Sequence, residues 1–354
     1  MQTHQRIAGT DYLRALLAIL VILHHAGQPY GPTGGSWPIH HAVQWHWLGP
    51  FFHINASFFM GLFFLISGYF TPGAVDSKGT RQWLADRFKR FVPAILGFGL
   101  LVVPLLRHTL INKAWADSFL PFEWGHLWFL GHLLIYAVLF VLIRSCLPRF
   151  AQSERPFPPL KSIIAYVAIL SIASALTRQY FPIDRWVNIG VPAEIAHLPQ
   201  YASLYWIGVL AAAGKWLNRV PTRLGTGALG MAGLLITWRL GLHLIQPSWD
   251  SVPGWMEHLI WNTWEAALCA SLCLGLCWLF NRPNIHQQHT AQAIGQASFF
   301  IYVTHLPILV VYQFLFEQSS FGPVALTLIT GMCTLTTCLL LSHLQKEMKR
   351  IFFR

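Results

Sequence analysis

Apolar stretches of about 17–22 residues recur along the whole 354-residue chain, and each is long enough to cross the hydrocarbon core of a bilayer. A helix satisfies its backbone polar groups internally, as lipid demands. The pattern therefore predicts an all-α, polytopic transmembrane helical bundle. Ten spans follow from it: 12–28, 49–70, 91–106, 126–144, 162–178, 198–217, 225–245, 258–280, 296–316 and 321–342. The intervening segments reach about twenty residues at most, and no internal repeat is evident. The expectation is a single integral-membrane domain over residues 1–354.

Composition agrees, with 55% hydrophobic and only 10% charged residues. The net charge of +11 could suit nucleic acid, but its distribution points elsewhere. An even span count puts both termini on one side. With that side cytoplasmic, 18 of the 24 Lys and Arg lie inside and four outside (Arg107, Lys113, Arg178, Arg185), while Arg14 and Arg239 fall within spans. This is the positive-inside bias, so the expected setting is a bacterial inner membrane with cytoplasmic N- and C-termini. No nucleic-acid partner is expected. The first span has Arg14 inside its apolar region and is read as retained, not as a cleaved signal. The six Cys form no disulfide pattern. Cys269, Cys273 and Cys277 recur every four residues, which suits small-residue helix packing, and no metal is expected.

Arg14 and His25 stand inside the first span, within YLRALLAILVILHHA. A charge in a membrane helix costs several kcal/mol and usually serves function. Eleven steps of about 100° amount to roughly three turns plus 20°, which puts both on one helix face about 16 Å apart. A fixed cation and a titratable base thus address one interior at two depths.

Other polar residues fall into two groups by depth. Toward the cytoplasm, the connection to the third span carries Arg81, Arg87, Lys89 and Arg90 ahead of Pro93. Arg87 and Arg90, three apart, would share a helix face. They could be an ordinary positive-inside anchor or a clamp for the phosphates of a cytoplasmic cofactor. Ser67-Gly68, at the inner end of span two, reads as a packing notch or as room for a ligand. Toward the outside, Arg239 and Glu265 in spans seven and eight sit at similar depths, and an ion pair between them is the economical reading. His126 and Trp128 open the fourth span, and His305 lies mid-membrane in the ninth, near Tyr302 and Pro307. The first outer loop, 28–48, is rich in Gly, Pro, His and Trp. It suits either an interfacial aromatic belt or a lid over a sugar site.

The Arg14/His25 spacing, FFLISGYF at 63–70, the Arg87/Arg90 pair before Pro93, HLWFL at 126–130 and SFFIYVTHLP at 298–307 occur in an order that resembles the acyltransferase-3 superfamily of membrane O-acyltransferases. FFLISGYF, HLWFL and the last motif look particularly like its glucan biosynthesis protein C branch, which succinylates periplasmic glucans. HLPQY at 197–201 is also similar to general polysaccharide acetyltransferases. The resemblance implies an acyl-CoA donor (acetyl or succinyl) at the cytoplasmic face and a carbohydrate acceptor on the other. His25 would act as general base or transient acyl carrier, with Arg14 beside the thioester. Arg87, Lys89 and Arg90 would hold the CoA phosphates near Ser67. His126, Trp128 and His305 would face the acceptor, and by their depth, not by the resemblance, Glu265 and Arg239 would join them as a polar acceptor site. The alternative is a polysaccharide or small-solute transporter, since intramembrane Arg, His and Glu also serve proton-coupled transport. The sequence leaves the oligomeric state open.

Overall fold

The structure, a computed structural model, describes residues 8–32, 37–39, 41–110, 115–118, 121–246, 248, 252–282 and 289–352. Arg6, Lys113 and Arg354, which entered the charge count, lie outside the described residues. The helices are α1 Ala8–Gly27, α2 Leu48–Ala56, α3 Phe59–Lys78, α4 Thr80–Gly97, α5 Val103–Leu110, α6 Trp115–Ser118, α7 Trp128–Cys146, α8 Leu160–Tyr180, α9 Leu198–Ala211, α10 Thr222–Ile245, α11 Gly254–Phe280, α12 His289–Leu315 and α13 Pro323–Phe352. A short antiparallel hairpin, β1 Trp186–Asn188 with β2 Pro192–Glu194, pairs Val187 with Ala193 before α9.

Among the described residues, eight helical stretches are long and apolar enough to cross a membrane: Leu48–Lys78, Thr80–Leu110, Gly125–Cys146, Leu160–Tyr180, Thr222–Ile245, Gly254–Phe280, His289–Leu315 and Pro323–Ile351. They fall on eight of the ten expected spans. The other two expected spans correspond to α1, with 20 residues including Asp11, Arg14 and two histidines, and to α9, with 14 residues.

Two spans differ from the sequence reading. The second is broken into α2 and α3 at Ser57, which is fully buried and gives its carbonyl to the Gln200 side chain. The third begins at Thr80 rather than 91, so the arginines expected in a connection lie on α4 itself. Between α4 and α5 the helix widens into a π turn, Phe98–Val102. Pro104 has no N–H for the carbonyl four residues back, and a wider turn accommodates that loss.

The chain forms two compact units. Unit 1 comprises residues 1–55, 98–123 and 280–354. Here α1 packs on α12 and α13, and Ala15, Ala18 and Ile22 meet Ile294, Ala297, Ile301 and Cys338 in a buried cluster. Small residues on α1 allow this closeness, while its leucines and isoleucines fill the gaps. Unit 2 comprises 56–97 and 124–279. Its tightest helix pair is α3 with α9. Gly68 lies against the backbone of Tyr205, and Gly208 lies against the backbone of Leu65 and Tyr69. Any side chain at either glycine would meet the opposing main chain. This close approach is the packing notch expected at Ser67-Gly68. Cys269, Cys273 and Cys277 are buried along α11, as a packing column should be.

Candidate functional site

In unit 1, His25 sits in the last turn of α1, half-buried, between two rings that lie nearly parallel to its own. Trp37 is 5.5 Å away, centroid to centroid, at 13°. His305 is 5.5 Å away at 27°. The neighbouring His24 meets the His25 ring edge to face at 5.6 Å. It packs 4.9 Å from Phe52 and lies 3.3 Å from the Asn55 side-chain amide, which also donates to the Leu20 carbonyl at 3.2 Å. An amide N–H donates, so His24 accepts at Nδ1. Of the two adjacent histidines, His25 is the one that also lies against His305.

His305 is fully buried on α12. Its Nδ1 lies 2.8 Å from the Tyr302 carbonyl and 3.1 Å from that of Ile301. Both partners are acceptors, so Nδ1 carries the proton and, in the neutral ring, the lone pair is on Nε2. Gln313, one helix region further on, is also fully buried. Its amide donates to the His25 carbonyl at 3.0 Å and the Ala26 carbonyl at 3.3 Å, and its oxygen accepts from the Trp37 indole N–H at 2.9 Å. Trp37 thus belongs to the His25 surroundings. Trp45 is tied to Tyr30, whose carbonyl accepts from the Trp45 N–H at 2.7 Å and whose ring joins Leu48, Phe52 and Leu326. Burial, then the charge of Glu317, pushes the Tyr30 phenol up to about 12, so it stays protonated and offers no competing base. Arg14, eleven positions before His25, pairs with Asp11 at 3.5 Å and keeps a third of its side chain exposed.

In unit 2, the acidic residue in span eight has a different partner from the one expected. Glu265 is bound by Arg178 through two bonds, 2.6 and 2.8 Å. Arg178 also donates to Asn262 at 2.8 Å, and His197 lies 3.3 Å from the Glu265 carboxylate. Arg239 instead places its guanidinium over the Trp261 ring at 5.5 Å. The expected Arg239–Glu265 pair is therefore corrected to Arg178–Glu265. The fork-shaped guanidinium of Arg178, at the last turn of α8, meets the carboxylate in the geometry that offsets charge burial best. Gln200, Asn262, Ser174 and Glu265 line a narrow crevice there. Arg178, His197 and Asn262 went unassigned in the sequence reading. Arg178 had been counted as an outer-loop cation, and only the HLPQY motif drew attention to His197.

Also in unit 2, Trp128 stacks on Tyr201 at 5.6 Å and meets Trp186 of the hairpin at 5.5 Å, while His126 is buried beside it in sequence. Arg87 is half-buried on α4, held over Trp83 at 5.0 Å and Phe91 at 5.5 Å. Lys89 and Arg90 are exposed. Asp86, the acid nearest in sequence, is taken by Lys78 at 2.6 Å and Gln82 at 2.7 Å. Half-buried Ser67 lends its carbonyl to the Thr71 hydroxyl at 2.9 Å.

The family model described as an acyltransferase domain, Acyl_transf_3, matches residues 7–343, and the chain belongs to this family. With its apolar helices, it is a multi-pass membrane acyltransferase. Among individual proteins, it is 27% identical over 335 residues to "Glucans biosynthesis protein C" of Escherichia coli (strain SMS-3-5 / SECEC), covering 86% of this chain and 82% of the relative. The protein of that name from Escherichia coli (strain K12 / DH10B) is 26% identical over the same coverage. No solved structure matches this chain.

Proposed function

We propose that the protein is an inner-membrane O-acyltransferase that moves an acetyl or succinyl group from acyl-CoA to a hydroxyl of a periplasmic or cell-surface carbohydrate. The carrying observation is His25, a titratable ring in a membrane helix, flanked at 5.5 Å by Trp37 and His305. The family supplies the reaction class, and the relatives' printed name supports a glucan as the carbohydrate. The family match spans both units, which supports one functional domain over 1–354.

In this reading His25 takes the proton of the acceptor hydroxyl. The oxygen attacks the thioester carbonyl, a C–O bond forms, the C–S bond breaks, and the proton passes from His25 to the leaving thiolate. In the two-step variant the imidazole nitrogen attacks first and carries the acyl group before the hydroxyl takes it. A burst of acyl-His on mixing with donor alone distinguishes the two. Arg14, about 16 Å before His25 along α1 and partly exposed beside Asp11, draws the pantetheine arm of the donor into the bundle. Arg87, Lys89 and Arg90 hold the CoA phosphates, with Arg87 steadied by the two aromatic faces and Ser67 on the neighbouring α3. On the acceptor side stand Glu265, with Arg178 as its counter-ion, and Arg239, His126, Trp128 and His305. The asymmetry of Lys and Arg supports cytoplasmic termini and a cytoplasmic donor.

The test is mass spectrometry of envelope glycans from cells with and without the protein. An acyl increment lost with the protein, of acetyl or succinyl size, is expected and names the donor. Identical glycans from both cells would overturn the carbohydrate acceptor.

A further inference from the structure

Gln313 is a primary amide in an otherwise apolar stretch of α12, LVVYQFL, and is fully buried. Such a group is costly unless its bonds are made. All three are made, and to partners of opposite kind. The two donors meet the His25 and Ala26 carbonyls at 3.0 and 3.3 Å, and the acceptor meets the Trp37 indole N–H at 2.9 Å. The carbonyls belong to the last turn of α1, which lacks intrahelical donors for them. Of the common side chains, an amide alone supplies donors on one side and an acceptor on the other, so the orientation is fixed. One side chain thus ties the helix end bearing His25 to the indole lying 13° from parallel over its imidazole. His305, the other flanking ring, is held by carbonyls of its own helix. Trp37 comes from a loop, and the Gln313 bond is the hydrogen bond that fixes its indole.

We propose that Gln313 is a positioning residue that latches Trp37 across His25, and that the latched indole keeps water from the acyl group His25 acts on. The proposal rests on the reading of His25 as the acyl-transfer base. An indole covers on the order of 200 Å² and excludes water from whatever lies beneath it. The reaction it suppresses is thioester hydrolysis. Water attacks the carbonyl carbon, a C–O bond forms and the C–S bond breaks. One water proton passes through His25 to the sulfur, giving free acid and thiol. A sugar hydroxyl and water compete for the same carbonyl, so the cap sets the ratio of transfer to waste.

The experiment uses the purified full chain in detergent with acetyl-CoA or succinyl-CoA and a glucan oligosaccharide. Thiol release is measured with and without the oligosaccharide, and acylated oligosaccharide is measured separately. The variants are Gln313→Leu, Trp37→Phe, their double and His25→Ala. The ratio of acceptor-independent thiol release to transfer is expected to rise about tenfold in Trp37→Phe, which loses the one bond to Gln313, and at least as much in Gln313→Leu, which loses that bond and the two to α1. The double variant should show less than the combined effect of the singles, because both break the Gln313–Trp37 bond. Trp37→Phe leaves the α1 carbonyl bonds intact, so it tests the latch even if Gln313→Leu does not fold. A wild-type ratio in Trp37→Phe, or effects that add in the double variant, would overturn the latch. Full transfer by His25→Ala would instead overturn the reading of His25, a different result from either.

Discussion

Glu265 and Arg178 meet through two hydrogen bonds of 2.6 and 2.8 Å, and both side chains are more than nine-tenths buried. Removing one charge from such a pair leaves the other unpaired in a dry setting. Glu265→Gln is therefore expected to lower stability by about 3–5 kcal/mol, read as thermal unfolding in detergent. Arg239→Ala, which loses a stack on Trp261, should cost about 1 kcal/mol or less. The reverse order would restore Arg239 as the counter-ion. Sequence showed that Glu265 needed a cation but not which one, because Arg178 lies 87 positions away and only the fold brings it near. Gln313 was legible in principle. A lone amide among apolar residues of a span is the same kind of signal that singled out Arg14 and His25, but its partner Trp37 lies 276 positions distant.

At the scale of elements, α4 carries the basic cluster on a helix that starts at Thr80. The sequence reading began this span at 91, where the charges end, since hydropathy alone cannot follow a helix out of the apolar layer. The continuation matters for the arginines. Arg87 is oriented by Trp83 and Phe91, one turn either way. Arg87→Ala is expected to weaken acyl-CoA binding about tenfold in a titration, the worth of a charge-assisted hydrogen bond; unchanged affinity would remove the phosphate clamp. The α3–α9 pair gives a purely structural test. Gly68→Val puts methyl groups into the backbone of Tyr205 and should cost about 1–3 kcal/mol of stability. A neutral result would show that the two helices are not pressed together there.

For the molecule as a whole, the repeated apolar stretches made the helical membrane class readable before any coordinates. Eight of the ten expected spans fall on helices long and apolar enough to cross a membrane. The two that fall short are informative: α1 is diluted by its polar residues and α9 is only 14 residues long. The proposed orientation rests on the sequence count of 18 Lys and Arg expected inside against four expected outside. Reporter fusions after residue 354 should be active only in their cytoplasmic form; a periplasmic reporter signal would invert the topology and the side from which the donor enters.

In the proposed mechanism His25 performs the transfer. Its direct test compares wild type and His25→Ala, both purified and shown to unfold at the same temperature, for acyl transfer from acyl-CoA to a glucan oligosaccharide. The expected result is a fall in transfer of about 10²–10⁴-fold, the usual worth of a positioned base. Transfer at the wild-type rate by the folded variant would contradict the account.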